Sequence, residues 1–483
     1  MPPTRGSTSD EESTDTENET PAPYERYLNR RQYLAVGLTA GVSAFAGCSQ
    51  LTGTGDERTP TATRTEPGVE ERPGYHTYST SELEEKYPAL RIFSNQPPNA
   101  ETESRDQYTE FTTSVDATYI RSHYDSPKLT EADHTISLEG LIEESTELSM
   151  DALKSEFSTV EVAHTMQCAG NGRSYLDPNV AGTQWTFGAM GTAIYAGTPV
   201  GEVLEQHGAQ TDDELYLAVM GADAPEGKKV FARSIPMSKI KKDCILAYER
   251  DGEPLTAEHG FPVRLVVPGW YGCNSVKWVD RMRVMETMLH DEDDTMDNPE
   301  RYTHWQQSSY RILPEQDNEP RQHTSIDTLD TEAQMAADEI EQPYMYDMLV
   351  KSLITSPVEE TTVSPDDGTV TVRGVAWAGD NELQGVEIST DGGEEFADAE
   401  FTGPEHGPTA WRLFRFEWEA TPGEHTLVSR ATDDEGRTQP ATVSDLEEGL
   451  RGIEDDKYPW NQKGYGVNAY MPEAITVTVS EGS

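Results

Sequence analysis

Cationic side chains are scarce in this sequence: 37 Lys and Arg stand against 88 Asp and Glu, a formal net charge of −51. Nucleic-acid binders need clustered Lys and Arg to displace counterions, and anionic membrane surfaces attract the same side chains, so neither partner suits this chain. Cysteine is also rare. The four, Cys48, Cys168, Cys244 and Cys273, form no disulfide framework by number or spacing. The apolar stretch Ala35 to Ala46 is too short to span a bilayer. A Cys-x-x-Cys-His haem attachment site is missing, and no internal repeat is visible.

Aromatic residues are present in quantity, 8 Trp and 21 Tyr spread over long apolar-patterned stretches, which argues for folded domains despite the charge. The acidic residues are scattered along the whole chain. Such a surface is expected of a protein from a salt-rich medium, where screening makes self-repulsion tolerable.

An acidic extension leads to Asn29-Arg30-Arg31-Gln32-Tyr33-Leu34 and then to the apolar stretch, the order of a twin-arginine export signal. Phe45-Ala46-Gly47-Cys48 resembles a lipoprotein cleavage box, so residues 1–48 are expected to direct export and Cys48 to carry a lipid on the extracytoplasmic face. That leaves three cysteines, at least one of them unpaired. Twin-arginine export carries proteins already folded around a cofactor. Residues 49–80, rich at first in Thr, Gly, Pro and charge, are expected to form a flexible tether.

Residues 81–345 alternate strand-like and helix-like patches. His134 to Leu141 alternates as a strand, Pro199 to His207 has helical spacing with Gly208 as its stop, and Val263 to Val267 is an apolar run interrupted only by Arg264. This mixture predicts an α+β domain. Residues 346–483 read as all-β: Thr369 to Trp377, Val386 to Thr390, Trp411 to Trp418 and Ile475 to Val479 alternate, and Asp391-Gly392-Gly393 supplies a hairpin turn. An immunoglobulin-like sandwich is expected there. The acidic, apolar-poor stretches 288–300 and 314–342 read as surface insertions or linkers.

The chemistry centres on Thr165-Met166-Gln167-Cys168-Ala169-Gly170-Asn171-Gly172-Arg173. Two glycines let the backbone turn and approach closely, and Arg173 is placed to acidify the thiol and attract an anion. A thiolate in such a loop suits a soft metal; a buried structural cysteine beside a turn suits it equally.

Further segments follow in fixed order. They are Tyr119-Ile120-Arg121-Ser122-His123, Trp185 with Gly188-Ala189-Met190-Gly191, and Gly221-Ala222-Asp223. Then come His259 to Arg264 continuing through Trp278, and Trp305 to Tyr310. Together with the Cys168 loop, the series resembles the sulfite oxidase family of molybdopterin-dependent oxidoreductases from roughly Leu90 to Val479. The fold implied is a sulfite-oxidase-type α+β molybdopterin domain followed by the β sandwich. Trp377, Trp411-Arg412 and Trp460-Asn461 resemble that family's dimerisation domain, which implies a homodimer.

The resemblance implies molybdenum-molybdopterin as cofactor, with Cys168 as the protein's ligand to the metal. It places His123, Asp223, His259, Arg264 and Lys277 against the cofactor. Arg121 and Arg173 would hold an anionic substrate, Tyr310 would donate a hydrogen bond and relay a proton, and Trp185 would lie beside the active site. Plainer roles suit the same residues: His123 and His259 as hydrogen-bonded core histidines, Arg264 in a structural ion pair, Asp223 as a turn former, Lys277 solvated, Trp185 as core. Cys244 reads as inert packing, and Cys273 has no assigned role.

The implied reaction is oxidation of sulfite or a related small sulfur oxyanion by oxo transfer. Electrons would pass to a separate cytochrome or blue-copper protein, since no haem is expected in this chain. One departure bears on substrate: animal relatives place a further arginine after an Asn-Ala-aromatic step, whereas Asn468-Ala469-Tyr470-Met471-Pro472 is followed by none. Reduction of an S- or N-oxide or a nitrate-like oxyanion is the alternative chemistry. A non-enzymatic surface lipoprotein that binds through its sandwich is the alternative of another class.

Overall fold

A computed structural model describes residues 69–176, 180–289, 302–303, 305–308, 310, 344–441 and 464–481, with 307–308 as backbone only. The export signal, Cys48, the segment Trp460-Asn461 and nearly all of the two acidic stretches lie outside the described residues.

Strands dominate even the first domain. Its α-helices are short: Thr80–Lys86, Met150–Ser155, Val200–Gln206, Met237–Asp243 and Trp305–Ser308. The helical spacing after Pro199 yields the third of these, closed by Gly208 at φ +66° with Ala209 N–H donating back to the Leu204 carbonyl at 3.0 Å. Elsewhere the apolar runs are brief and rich in β-branched residues, which suits buried strands better than helices.

Two five-stranded sheets frame this domain. One pairs the long strand Met190–Pro199 with Val160–Gln167 on one side and Ile245–Arg250 on the other, and Arg264–Val266 joins the latter. The second runs in the order Thr146–Ser149, Thr135–Gly140, Val279–Met285, Tyr216–Gly221, Ala232–Pro236. Between them lies a core of Leu, Ile, Val and Met that includes Leu138, Leu217, Val263, Leu265 and Met282. A small sheet of Leu90–Asn95, Pro98–Thr102 and Ile120–Arg121 covers one end.

The second domain is the expected sandwich. A four-stranded sheet containing Thr369–Trp377 and Arg412–Glu419 faces a five-stranded sheet containing Leu383–Ser389, Gly423–Asp433 and Ile475–Val479. Val372, Val386, Phe414, Leu427 and Val477 fill the space between them.

The two domains share a seam. Val160–Gln167 is an edge strand of its sheet, and its outer edge is covered by the second domain. Thr165 N–H donates to Thr409 O (2.9 Å), Trp411 N–H donates to Thr165 Oγ1 (2.7 Å), and Trp377 Nε1–H donates to Gln167 Oε1 (2.9 Å). A covered edge cannot pair with another chain. Beside it, the buried Glu473 carboxylate accepts from Arg105 (3.2 Å) and the Tyr175 hydroxyl (3.0 Å) and forms an ion pair with Lys351 (3.1 Å), tying both domains to the turn that follows Cys168.

Candidate active site

The edge strand ends at Gln167, and the pairing continues one step further: Cys168 N–H donates to Ala189 O at 2.8 Å. The chain then turns sharply. Asn171 N–H returns to Cys168 O (2.9 Å), and Gly172 adopts φ +88° with its N–H on Thr186 O (2.7 Å). A Cβ at Gly172 would sit 3.0 Å from Val467 of the second domain, so both backbone angle and space call for glycine here. The turn leaves the Cys168 side chain on a cavity that opens to solvent.

The long stretch His259 to Trp278 supplies the cavity's cationic wall. His259 closes a short 3-10 turn, and Gly260 at φ +109° reverses the chain into the strand that bears Arg264. The return leg comes back alongside, with Leu265 N–H on Val276 O (2.8 Å) and Val267 N–H on Ser275 Oγ (3.1 Å), which sets Lys277 next to Arg264. Arg264 is buried and donates to His259 O (3.0 Å) and Ser275 O (3.1 Å). Its Nε has no partner. Lys277 donates to Ser122 Oγ (2.8 Å) and Glu258 O (2.7 Å), and burial followed by Arg264 repulsion holds its ammonium well below the usual lysine range. Arg121 is exposed at the cavity, anchored by Asn99 Oδ1 at 3.3 Å and by the Ser122 carbonyl. Among the described residues none of these three cations has an ion-pair partner.

The acidic wall is handled differently. Burial opposes ionisation of Glu258, but Lys86 (2.9 Å) and the Tyr78 and Tyr87 hydroxyls outweigh it and hold the carboxyl at about 2. Its charge is spent internally. Asp223 is buried with Oδ1 unpartnered; burial raises its carboxyl to about 6 against the pull of Lys277.

Both histidines are kept neutral. Burial, then Arg250 and Lys277, bring His259 down to about 3, with Thr256 Oγ1 at 2.7 Å from its Nδ1. Burial, then Arg121 and Arg233, bring His123 to about 4, its ring 4.5 Å from that of Trp305. Tyr310 packs on the Tyr465 ring (4.5 Å) and lines the cavity, its phenol pushed well up by burial.

Of the residues expected at the site, Arg121, His123, Cys168, Asp223, His259, Arg264, Lys277 and Tyr310 all line this one cavity. The structure does not bring Arg173 or Trp185 onto it. Arg173 donates to Thr183 O (2.9 Å) and its guanidinium lies 4.9 Å from the Tyr465 ring, one ring removed from the cavity. Trp185 is core, edge-on to Phe93 at 5.1 Å. Sequence reading passed over Tyr119, Met166, Ser275 and Trp305, which also line the wall. Tyr119, Met166 and Ser275 each sit within two residues of an assigned position, and Trp305 opens the segment that carries Tyr310, the one signal that pointed to them. Cys273 lines the cavity too, with its thiol pushed up to about 12 by burial. Cys244 is buried packing, its thiol donating to Lys239 O at 3.4 Å.

Among the described residues no three His, Cys, Asp or Glu side chains converge as a metal site. What does converge is the thiols of Cys168 and Cys273, a set of cations without ion pairs among the described residues and an unpartnered buried carboxylate oxygen. Arg264 and Lys277 match a phosphate, Asp223 Oδ1 matches a ring N–H donor, and Cys168 offers one thiolate to a soft metal. A phosphorylated pterin carrying a metal fits that set.

Such a site on this two-domain frame defines a molybdopterin oxidoreductase. Residues 123–292 match the profile of the oxidoreductase molybdopterin binding domain, and residues 342–459 that of the Mo-co oxidoreductase dimerisation domain. The chain belongs to the sulfite oxidase family. It is 31% identical over 380 residues to sulfite oxidase of Gallus gallus, covering 76% of each chain. It is 32% identical over 399 residues to mitochondrial sulfite oxidase of Rattus norvegicus, covering 80% of this chain and 65% of the rat protein's length. The fold is similar to that in the crystal structure of the sulfane dehydrogenase SoxCD from Paracoccus pantotrophus, with TM-score 0.60 and 24% identity over 89% of this chain and 100% of that one.

Proposed function

We propose that this protein oxidises sulfite or a closely related sulfur oxyanion and passes the electrons to a separate carrier protein. The observation that carries the reading is Cys168 opening on a cavity whose cations lack ion pairs among the described residues, in a chain whose net charge is −51. A general surface of that sign repels small anions, so an uncompensated cationic pocket is a specific attractor.

In this reading Cys168 holds molybdenum, Arg264, Lys277 and His259 hold the phosphate and pterin, and Asp223 accepts from the pterin ring. The bound molybdenum supplies two-electron oxo-transfer chemistry. Arg121, with no carboxylate partner among the described residues, binds the anion at the mouth by charge-assisted hydrogen bonds. Tyr310, kept protonated by burial, donates a hydrogen bond to the bound anion. Neutral His123 and His259 add no charge that would compete for it.

Molybdenum per chain, measured beside a Cys168→Ser variant, tests the assignment. About one atom in the wild type and loss of most of it in the variant are expected, with bleaching of the visible absorption on adding sulfite. Metal without a sulfite response moves the substrate to another oxyanion or to S-oxide reduction; wild type without metal, from a molybdenum-replete host, ends the enzyme reading.

The surrounding biology follows the same proposal. A homodimer forms through residues 346–483, which light scattering at high salt checks by mass. Export by the twin-arginine signal and anchoring at Cys48 are checked by release of a Cys48→Ala protein from membranes. The acidic surface suits concentrated salt, and thermal stability is expected to rise between about 0.1 M and 1 M KCl as the Debye length contracts.

A further inference from the structure

Arg233 has no role in the reading so far, and its surroundings are unusual. It lies on the strand Ala232–Pro236 with 1% of its surface exposed. One amino group donates to the carbonyl of its own neighbour Ala232 (2.7 Å) and lies at the limit of contact with Thr303 Oγ1 (3.5 Å). Its Nε and the other amino group are buried without any hydrogen-bond partner, and no carboxylate pairs with it among the described residues. A desolvated, half-satisfied guanidinium is among the costliest groups a protein can bury.

What it faces explains the position. The guanidinium lies 4.2 Å from the Phe231 ring centroid and 5.3 Å from that of Tyr310. Both rings line the cavity. The charge therefore stands directly behind the aromatic wall of the anion pocket, where low dielectric and the absence of a counter-ion let its field pass through to the cavity. Aromatic faces tolerate a cation without neutralising it.

Other basic candidates are placed elsewhere. Arg173 rests on Tyr465, outside the lining. The stretch from Asn468 brings no arginine: Asn468 donates to Val350 O at 3.0 Å, and Tyr470 packs on Phe396 at 5.7 Å.

We infer that Arg233 is the second cation of the substrate pocket, so that a sulfur oxyanion before Tyr310 is held by Arg121 at the mouth and by Arg233 from behind the Phe231–Tyr310 wall. Arg233 is a positioning residue and specificity determinant: it acts through space and through Tyr310 and does not touch the anion. The inference rests on the oxyanion reading above.

The test uses the metal-loaded, full-length protein and sulfate as an unreactive probe, titrated by calorimetry at constant ionic strength, beside sulfite kinetics. Arg233→Leu is expected to raise the sulfate Kd and the sulfite KM about tenfold, the scale of a through-space charge interaction across a low-dielectric wall, with kcat held within about twofold. Arg233→Lys is expected to restore most of the loss. Where the leucine variant fails to fold, Arg233→Gln against Arg233→Lys makes the same comparison of neutral with charged. An unchanged sulfate Kd, or equal behaviour of Gln and Lys, overturns the inference and leaves Arg233 as a brace for the aromatic wall. Wild type that carries molybdenum yet neither binds sulfate nor oxidises sulfite overturns the inference together with the oxyanion reading. Wild type without metal fails at the earlier step, which its metal analysis identifies.

Discussion

Asp223 is the residue whose proton reports most directly on the cofactor site. Burial holds its carboxyl at about 6 in the folded protein against 3.8 for a free aspartate, and its Oδ1 waits for a donor. The unfolded chain therefore releases this proton first, and the cofactor-free protein loses stability as pH rises from about 4 to 6, by an amount on the order of 3 kcal/mol. Asp223→Asn removes that loss. The melting temperature of cofactor-free Asp223→Asn is expected to gain on wild type across this window and to hold its advantage above it; a pH-independent difference would count against the account. At this scale the sequence was legible where a residue contradicted its neighbours. Arg264 in an apolar run demands a partner, and no carboxylate among the described residues provides one. Arg173 and Arg233 show where legibility stops. Nearness to Cys168 along the chain suggested Arg173, but the turn directs it onto Tyr465, while Arg233 reads as an ordinary strand residue until its neighbours are known.

Elements matter here chiefly through what they pin. The segment bearing Tyr310 is attached side by side to the strand Ala232–Pro236. Thr303 Oγ1 accepts from Ala232 N–H (3.1 Å), and the Gln306 amide bonds both the N–H (2.8 Å) and the carbonyl (2.7 Å) of Ser234. Gln306 thus completes the strand edge as another strand would. Gln306→Leu is expected to leave two backbone groups unsatisfied, lowering stability by about 1–3 kcal/mol and, through displacement of Tyr310, turnover by tenfold or more. Thermal melts and sulfite kinetics on one preparation read both effects; intact turnover with lowered stability would separate Tyr310 from this anchor. The strands themselves were readable from alternation, Thr369–Trp377 to the residue. The anchoring by Gln306 was not, because a side chain that imitates backbone pairing leaves no periodic trace.

For the molecule as a whole, the buried Glu473 carboxylate joins Arg105 of the first domain to Lys351 of the second. Glu473→Gln leaves two buried cations with no full counter-charge and is expected to cost about 3–5 kcal/mol. Calorimetry should show the loss as a downward shift of one common transition; two separated transitions would mean that the domains unfold independently. None of this was visible in the sequence, since Arg105, Lys351 and Glu473 lie hundreds of positions apart at the extremes. The same seam holds the edge strand that ends one residue before Cys168, and Thr165 and Gln167 on it bond to Thr409, Trp411 and Trp377 of the second domain. The residue proposed to hold the metal is therefore placed by a domain from which no described residue lines the cavity. Substitutions at Thr409 or Trp411, in the sandwich and off the cavity, are therefore expected to lower the molybdenum held per chain, which metal analysis beside light scattering separates from loss of the dimer.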